Sequence, residues 1–224
     1  MWDWQYAKSI LPKLLEVIPT TLAATFAGFI IACLLGLPIA LAKRSSSKWI
    51  SFPVIAVTEF IRSTPLLIQL FVLVFVLPQS LGIILSPFLA GILGMGIHYS
   101  TYLSEVYRSG IDAIPKGQWE ASIALNFSKT RTWTRIVLPQ SIPPTIPVMG
   151  NYLIVMFKET PTLSAITVVE LLMTAKVVGS ASFKYVEAFT LVGVIFFLLS
   201  YPSALLVRAL ERRMKRRERR GLAR

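Results

Sequence analysis

Residues 115–139 read PKGQWEASIALNFSKTRTWTRIVLP. The stretch carries Lys116, Glu120, Lys129, Arg131 and Arg135, yet it lies between two long apolar regions. The whole chain of 224 residues is 54% hydrophobic and only 15% charged. A soluble domain carries about 25% charged residues, so this composition suits a chain solvated by lipid, and residues 115–139 read as a polar excursion between membrane spans. The excursion has helical structure of its own. QWEASIALNFS is a helix-forming run with Trp119, Ile123 and Leu125 to Phe127 as an apolar stripe. SKTRTWTRIVL continues as a second helix with Trp133, Ile136 and Val137 on one side. Asn126 between them tolerates the left-handed backbone that a sharp turn needs. Pro139 is expected to end the pair and start the return into the membrane. An apolar stripe flanked by charge either docks into a groove on a partner or rests on lipid headgroups.

Working outward, a spanning helix needs about 20 largely apolar residues. Five segments qualify: about 20–42, about 52–77, about 85–106, about 142–157 and about 187–210. The expected fold class is therefore an all-α membrane protein with five transmembrane helices. The basic residues set its direction. Lys43, Arg44 and Lys48 follow the first span, Arg108, Lys116, Lys129, Arg131 and Arg135 lie between the third and fourth, and Arg208 to Arg224 close the chain. With five spans all of these share one side, and only Lys8, Lys13, Lys158, Lys176 and Lys184 fall on the other. That bias places the N-terminus outside and the C-terminus in the cytoplasm. Residues 1–19 read as a short helix at the lipid interface, with Trp2 and Trp4 ahead of an apolar face, or as a simple extension of the first span. Residues 20–210 form the membrane domain, and residues 211–224 a basic cytoplasmic tail on anionic headgroups. The net charge of +12 does not point to nucleic acid, because the charges cluster between and after the spans.

The polar excursion also carries a resemblance. Tyr102 to Ile111, then Ile114-Pro115-Lys116-Gly117-Gln118-Trp119-Glu120-Ala121, then Ile136-Val137-Leu138-Pro139 resemble the EAA loop of ABC importer permeases, most of all the polar amino acid permease branch. Ser122 and Asn126 stand where that pattern has alanine and glycine. Phe60 to Gln69, which begins Phe60-Ile61-Arg62-Ser63-Thr64-Pro65, and Phe157 to Ile166, followed by Glu170-Leu171, are similar to two further stretches of the same branch, with Glu159 where aspartate is usual and Pro161-Thr162 in place of Ser-Leu. The resemblance implies a type I ABC importer permease fold in the bacterial inner membrane. It implies a coupling loop at about 108–139 built on Gly117, Glu120, Ala121, Ser122, Asn126, Ile136, Leu138 and Pro139. It also implies partners: an ATPase subunit dimer that holds ATP and magnesium, a second permease subunit, identical or homologous, and an extracytoplasmic solute-binding protein.

This chain has no Gly-x-x-x-x-Gly-Lys-Ser/Thr stretch, so ATP hydrolysis is expected on a separate partner and no cofactor on this chain. His98 is the single histidine and Cys33 the single cysteine, which leaves no paired ligands for a metal. Candidate path residues are the polar groups at membrane depth. Glu59 and Arg62 are three apart and share a helical face. A charge at mid-bilayer costs about 2.5–3.5 kcal/mol on insertion scales, so this pair either neutralises itself or faces a wet path. Thr64 stands before Pro65, which should free a backbone carbonyl. His98 reads as a helix–helix hydrogen bond before a solute contact. Lys158, Glu159 and Thr160 end the fourth span with both charges that a zwitterion would need. Glu105 and Arg108 are expected to brace the loop. The reading is a permease for a small polar or zwitterionic solute, an amino acid or an ectoine-type compatible solute. A secondary transporter, which would need an inverted repeat, and a non-transporting scaffold are the competing classes.

Overall fold

The structure is a computed structural model that describes residues 2–222, with side chains to Met214. Fourteen elements follow one another, all helical. α1 (Trp4–Glu16) is separated from α2 (Ile18–Lys43) by Val17 alone, and together they form one 40-residue helical run. The α1 stripe is not turned to lipid throughout: Ile10 and Leu14 are buried with Leu171, Ala175, Ala188 and Val192, while Leu15 is exposed. Asp3 caps α1 by accepting from the Gln5 and Tyr6 amides at 2.9 and 3.0 Å.

α3 (Lys48–Ser63) leads into α4 (Leu66–Phe71), a wide π turn (Val72–Val76) and α5 (Leu77–Leu81). The second predicted span is bent. It is not one straight helix: the axis turns by 104° between Lys48–Ser63 and Leu66–Leu81. Pro65 has no N–H for the carbonyl of Ile61 and its ring disfavours helical backbone at Thr64, and Thr64 is extended at φ −110°, ψ 141°. The apolar pattern runs through this point and hides the corner.

α6 (Pro87–Asp112) is the central helix, packed chiefly against α2 and then α9. Two helical runs, Trp4–Lys43 and Tyr185–Met214, are long and apolar enough to cross a membrane, and up to four spans result if each bent pair counts as one. α6 is not among them, because it carries His98, Ser100, Thr101 and Ser104. All four are buried inside the protein, so lipid never meets them. The α2–α6 contact is built on small residues. Gly28, Ala32, Gly36 and Ala40 recur every fourth position and are buried, which puts them on one face and lets two backbones approach closely. A Cβ at Gly36 would lie 3.1 Å from Leu103 Cβ, and one at Gly96 2.7 Å from Ile31 Cβ.

α7 (Lys116–Ala124) and α8 (Lys129–Thr132) follow, then a second π turn (Trp133–Val137) that passes into α9 (Leu138–Glu159). Pro139 therefore does not end the helix, contrary to expectation. The five preceding residues widen instead, with the Leu138 amide bonding back to Trp133 O, and the proline sits at the start of α9 where its missing N–H is tolerated. A 3-10 turn (Thr160–Ile166), α10 (Leu171–Ser182) and α11 (Tyr185–Leu222) complete the chain. From Lys215 on, the side chains of the basic tail lie outside the described residues.

Candidate functional site

Three features follow from this architecture. The first is the polar segment. Asn126 takes φ 54°, and the Phe127 amide returns to Ser122 O at 2.9 Å, closing α7. Ser128 caps α8 by accepting from the Arg131 amide. The Trp119 and Trp133 rings meet edge-on at 5.4 Å and hold the two short helices together. Ser122 is buried, its hydroxyl donated to Trp119 O. Ala121 and Glu120 are exposed beside Ile123 and Leu125, which are 76% and 66% exposed. A Cβ at Gly117 would touch nothing within 4 Å, so nothing in this chain requires glycine there. Ile136 and Leu138 are half-buried and Pro139 is exposed. On the membrane side, the loop is joined to the bundle where Gly110 meets α9: a Cβ there would lie 2.6 Å from Ser141 O.

The second feature is a charged cluster. Lys43 Nζ lies 2.8 Å from Glu105 Oε1, and Arg108 Nη2 lies 2.7 Å from Glu105 Oε2. Arg44 and Arg108 both pair with Asp112. Arg62 lies 3.3 Å from Glu59 and 3.7 Å from Glu105, with its guanidinium over the Tyr102 ring at 5.5 Å. The sequence puts Glu59 and Arg62 inside a span. The corner at Thr64 instead leaves them in the last turns of α3, level with the end of α2 and about 10 Å before the end of α6. Arg62, Tyr102, Glu105, Ser109, Thr145 and Tyr152 line a cavity of about 410 Å³.

The third feature is the corner itself. Ile61 O, deprived of the Pro65 amide, accepts from Gln69 Nε2 at 2.7 Å. The same nitrogen reaches Thr64 O at 3.1 Å and Thr64 Oγ1 at 2.8 Å. Those acceptors fix the amide orientation, so Gln69 Oε1 is an acceptor and His98 Nδ1, 3.2 Å away, carries the proton. His98 is thus a helix–helix hydrogen bond, and its ring also packs on Tyr99 and Tyr102. Sequence reasoning left Gln69 out of the site. Its one signal was position: a lone amide in an apolar helix, four residues after a proline.

Lys158, Glu159 and Thr160 do not join that group. Thr160 is fully buried and donates to Phe157 O, Glu159 is half-buried and Lys158 is exposed. Tyr152, on the same helix, packs against Tyr99 and Tyr102. Glu159 stands about 21 Å along α9 from Thr145 and about 10 Å from Tyr152, the nearest residue of α9 that lines the cavity. Glu59 and Arg62 thus lie apart from Lys158, Glu159 and Thr160, and His98 sits among the tyrosines between the two groups.

The sequence profile of binding-protein-dependent transport system inner membrane components matches residues 32–216. The chain belongs to that family. It is 45% identical over 212 residues, 95% of this chain and 91% of the relative, to a probable amino-acid ABC transporter permease protein, y4tG, of Sinorhizobium fredii. It is 33% identical to the L-cystine transport system permease protein TcyB of Bacillus subtilis, over 94% of this chain and 92% of that one. Among solved structures, an amino acid ABC transporter with histidines superposes with a TM-score of 0.87 and 33% identity, over 95% of this chain and 99% of that one. The fold is the type I ABC permease fold, as the sequence resemblance implied.

Proposed function

We propose that this permease subunit imports an α-amino acid across the bacterial inner membrane, driven by a separate ATPase dimer that binds ATP and magnesium. It crosses the membrane five times, with the N-terminus outside and the C-terminus in the cytoplasm. It pairs with a second permease subunit and receives solute from an extracytoplasmic binding protein. The observation that carries the reading is the Trp119–Trp133 helix pair, which leaves Ile123 and Leu125 exposed. A surface that keeps apolar residues out beside Glu120 and an open Gly117 suits a groove on a partner. The names of the relatives supply the solute class. Glu159 and Lys158 mark the outer mouth of the path, and Arg62 and Glu59 the inner one.

The test is ATPase stimulation of the reconstituted complex across amino acids, betaines and ectoines, with Glu120→Lys alongside. Glu120 is exposed, so the variant folds; it should lose stimulation and ATPase association. Full stimulation in Glu120→Lys would remove the docking assignment, and stimulation by ectoines alone would remove the amino-acid assignment.

A further inference from the structure

α11 carries no charged residue between Glu187 and Arg208. The rise from one to the other is about 32 Å, close to the hydrocarbon core of a bilayer at about 30 Å. Arg208 therefore stands at headgroup level. The packing of α11 agrees. It runs antiparallel to α9, with Phe196 beside Phe157 and Val207 beside Gly150, so Arg208 to Arg212 are level with the turn of α9 that carries Thr145 and Val148. Leu198, Tyr201, Leu205, Arg208 and Arg212 are spaced by three and four residues, which puts them on one face of the helix, and all five are exposed. The face is apolar over its first three residues and cationic over its last two. Arg208, Arg212 and Arg213 frame a cleft of about 310 Å³ with Leu205 and Ala209. Among the described residues none of the three guanidiniums meets a carboxylate.

We propose that this cleft is a site for an anionic phospholipid, with its phosphate on Arg208 and Arg212 and an acyl chain along Leu205, Tyr201 and Leu198. Residues four apart on a helix are neighbours, with Cβ atoms about 5–6 Å apart, so both guanidiniums reach one phosphate. Guanidinium is the more weakly hydrated of the two basic side-chain heads and makes charge-assisted bonds to phosphate. A zwitterionic lipid offers the same phosphate together with an ammonium group that these cations repel. A second copy of the chain is the wrong occupant, because a two-fold contact on this face would set the arginines against their own equivalents. The import reading enters only in naming the leaflet, which is the inner one when the C-terminus is cytoplasmic.

The test places a fluorescent reporter on the face. Leu205→Trp is introduced into the permease–ATPase complex, which is reconstituted in phosphatidylcholine vesicles. Phosphatidylglycerol with brominated acyl chains is then titrated in, and brominated phosphatidylcholine in a parallel series. Quenching beyond that of the complex with Leu205 reports lipid beside the cleft. Each basic residue near a membrane surface is worth about a factor of five, so the anionic lipid should be preferred about 25-fold. Arg212→Gln should lower the preference about five-fold, and Arg208→Gln with Arg212→Gln should remove it. Both arginines are exposed, so the double variant should still elute with its ATPase in gel filtration. Excess inorganic phosphate should leave the lipid in place, since the acyl chain holds it as well. Displacement by phosphate would mark a plain anion site and overturn the lipid assignment. Equal quenching by the two lipids, or a preference that survives the double substitution, also overturns it. Quenching by neither lipid means that a protein partner covers the face, and the proposal falls. No solute enters the assay, so a failure of the amino-acid reading leaves this result unchanged.

Discussion

Replacing Gln69 with leucine keeps the volume and removes the group that closes the corner between α3 and α4. The amide makes four contacts: Ile61 O, Thr64 O, Thr64 Oγ1 and His98 Nδ1. Side-chain hydrogen bonds between membrane helices average about 0.6 kcal/mol, so the four sum to about 2.4 kcal/mol. One acceptor is partly rescued. Ile61 O still receives the Thr64 amide at 3.4 Å and the Thr64 hydroxyl at 3.2 Å, both long. His98 is not rescued: at 7% exposure its Nδ1–H loses its acceptor, a desolvation cost of about 1–3 kcal/mol. Gln69→Leu should therefore destabilise the chain by about 2–3 kcal/mol in reversible detergent unfolding. A double-mutant cycle with His98→Phe isolates the Gln69–His98 term, expected at about 1 kcal/mol. A loss below about 0.5 kcal/mol together with zero coupling would mean that water fills the corner, and the account of Pro65 and Gln69 would fail.

Other perturbations address other joints. Gly96→Ala drives a methyl to 2.7 Å from Ile31 Cβ and 3.2 Å from Gly28 O, and should cost about 1–3 kcal/mol by overpacking, read in the same unfolding assay. Asn126→Gly should be neutral, whereas Asn126→Val forces a branched residue to φ 54°; it should cost about 1–2 kcal/mol and loosen ATPase association in pull-down. At the other end of the bundle Asp3 accepts from Lys184 Nζ at 2.6 Å. That hydrogen bond, with the Tyr6 amide, lowers the Asp3 pKa from its ordinary 3.8, and Asp3 raises that of Lys184 from 10.5. The lowered carboxyl contributes stability fully above pH 3.8 and loses it as pH falls through its folded value, while the raised amine contributes fully below pH 10.5 and loses it as pH rises past it. Fluorescence of Trp2 and Trp4 should be flat between those limits and change beyond them, and Asp3→Asn should remove the acid limb.

What could be read from the sequence was local. The turn at Asn126 follows from what one residue tolerates, and the two tryptophans that clasp α7 to α8 stand out in a polar segment. The first, third, fourth and fifth apolar runs lie in α2, α6, α9 and α11 because each is continuous in its own helix. The freed carbonyl before Pro65 was legible, but the 104° corner was not, because apolar residues on both sides of Pro65 read as one run and hydropathy carries no direction. The Gly28–Ala40 stripe went unread because small residues look like weak hydrophobes rather than a contact surface. Lys158 and Glu159 were grouped as neighbours in the chain, yet successive residues on a helix point about 100° apart, and one is exposed while the other is half-buried.

The pentapeptide Val-Leu-Pro-Gln-Ser occurs twice, at 76–80 and 137–141. Each copy begins at the last residue of a π turn. A π turn holds one residue more than the α-helical turn it replaces, and one residue is about 100° of rotation. The tryptophan that clasps α7 opens the second of these turns, so the angular setting of α7 and α8 against α9 depends on a surplus residue. Deleting one residue from 133–137 should therefore turn α7 and α8 by about 100° against α9 while the helices on either side keep their register. The surplus residue sets a rotation of the polar segment that no apolar pattern in the chain records.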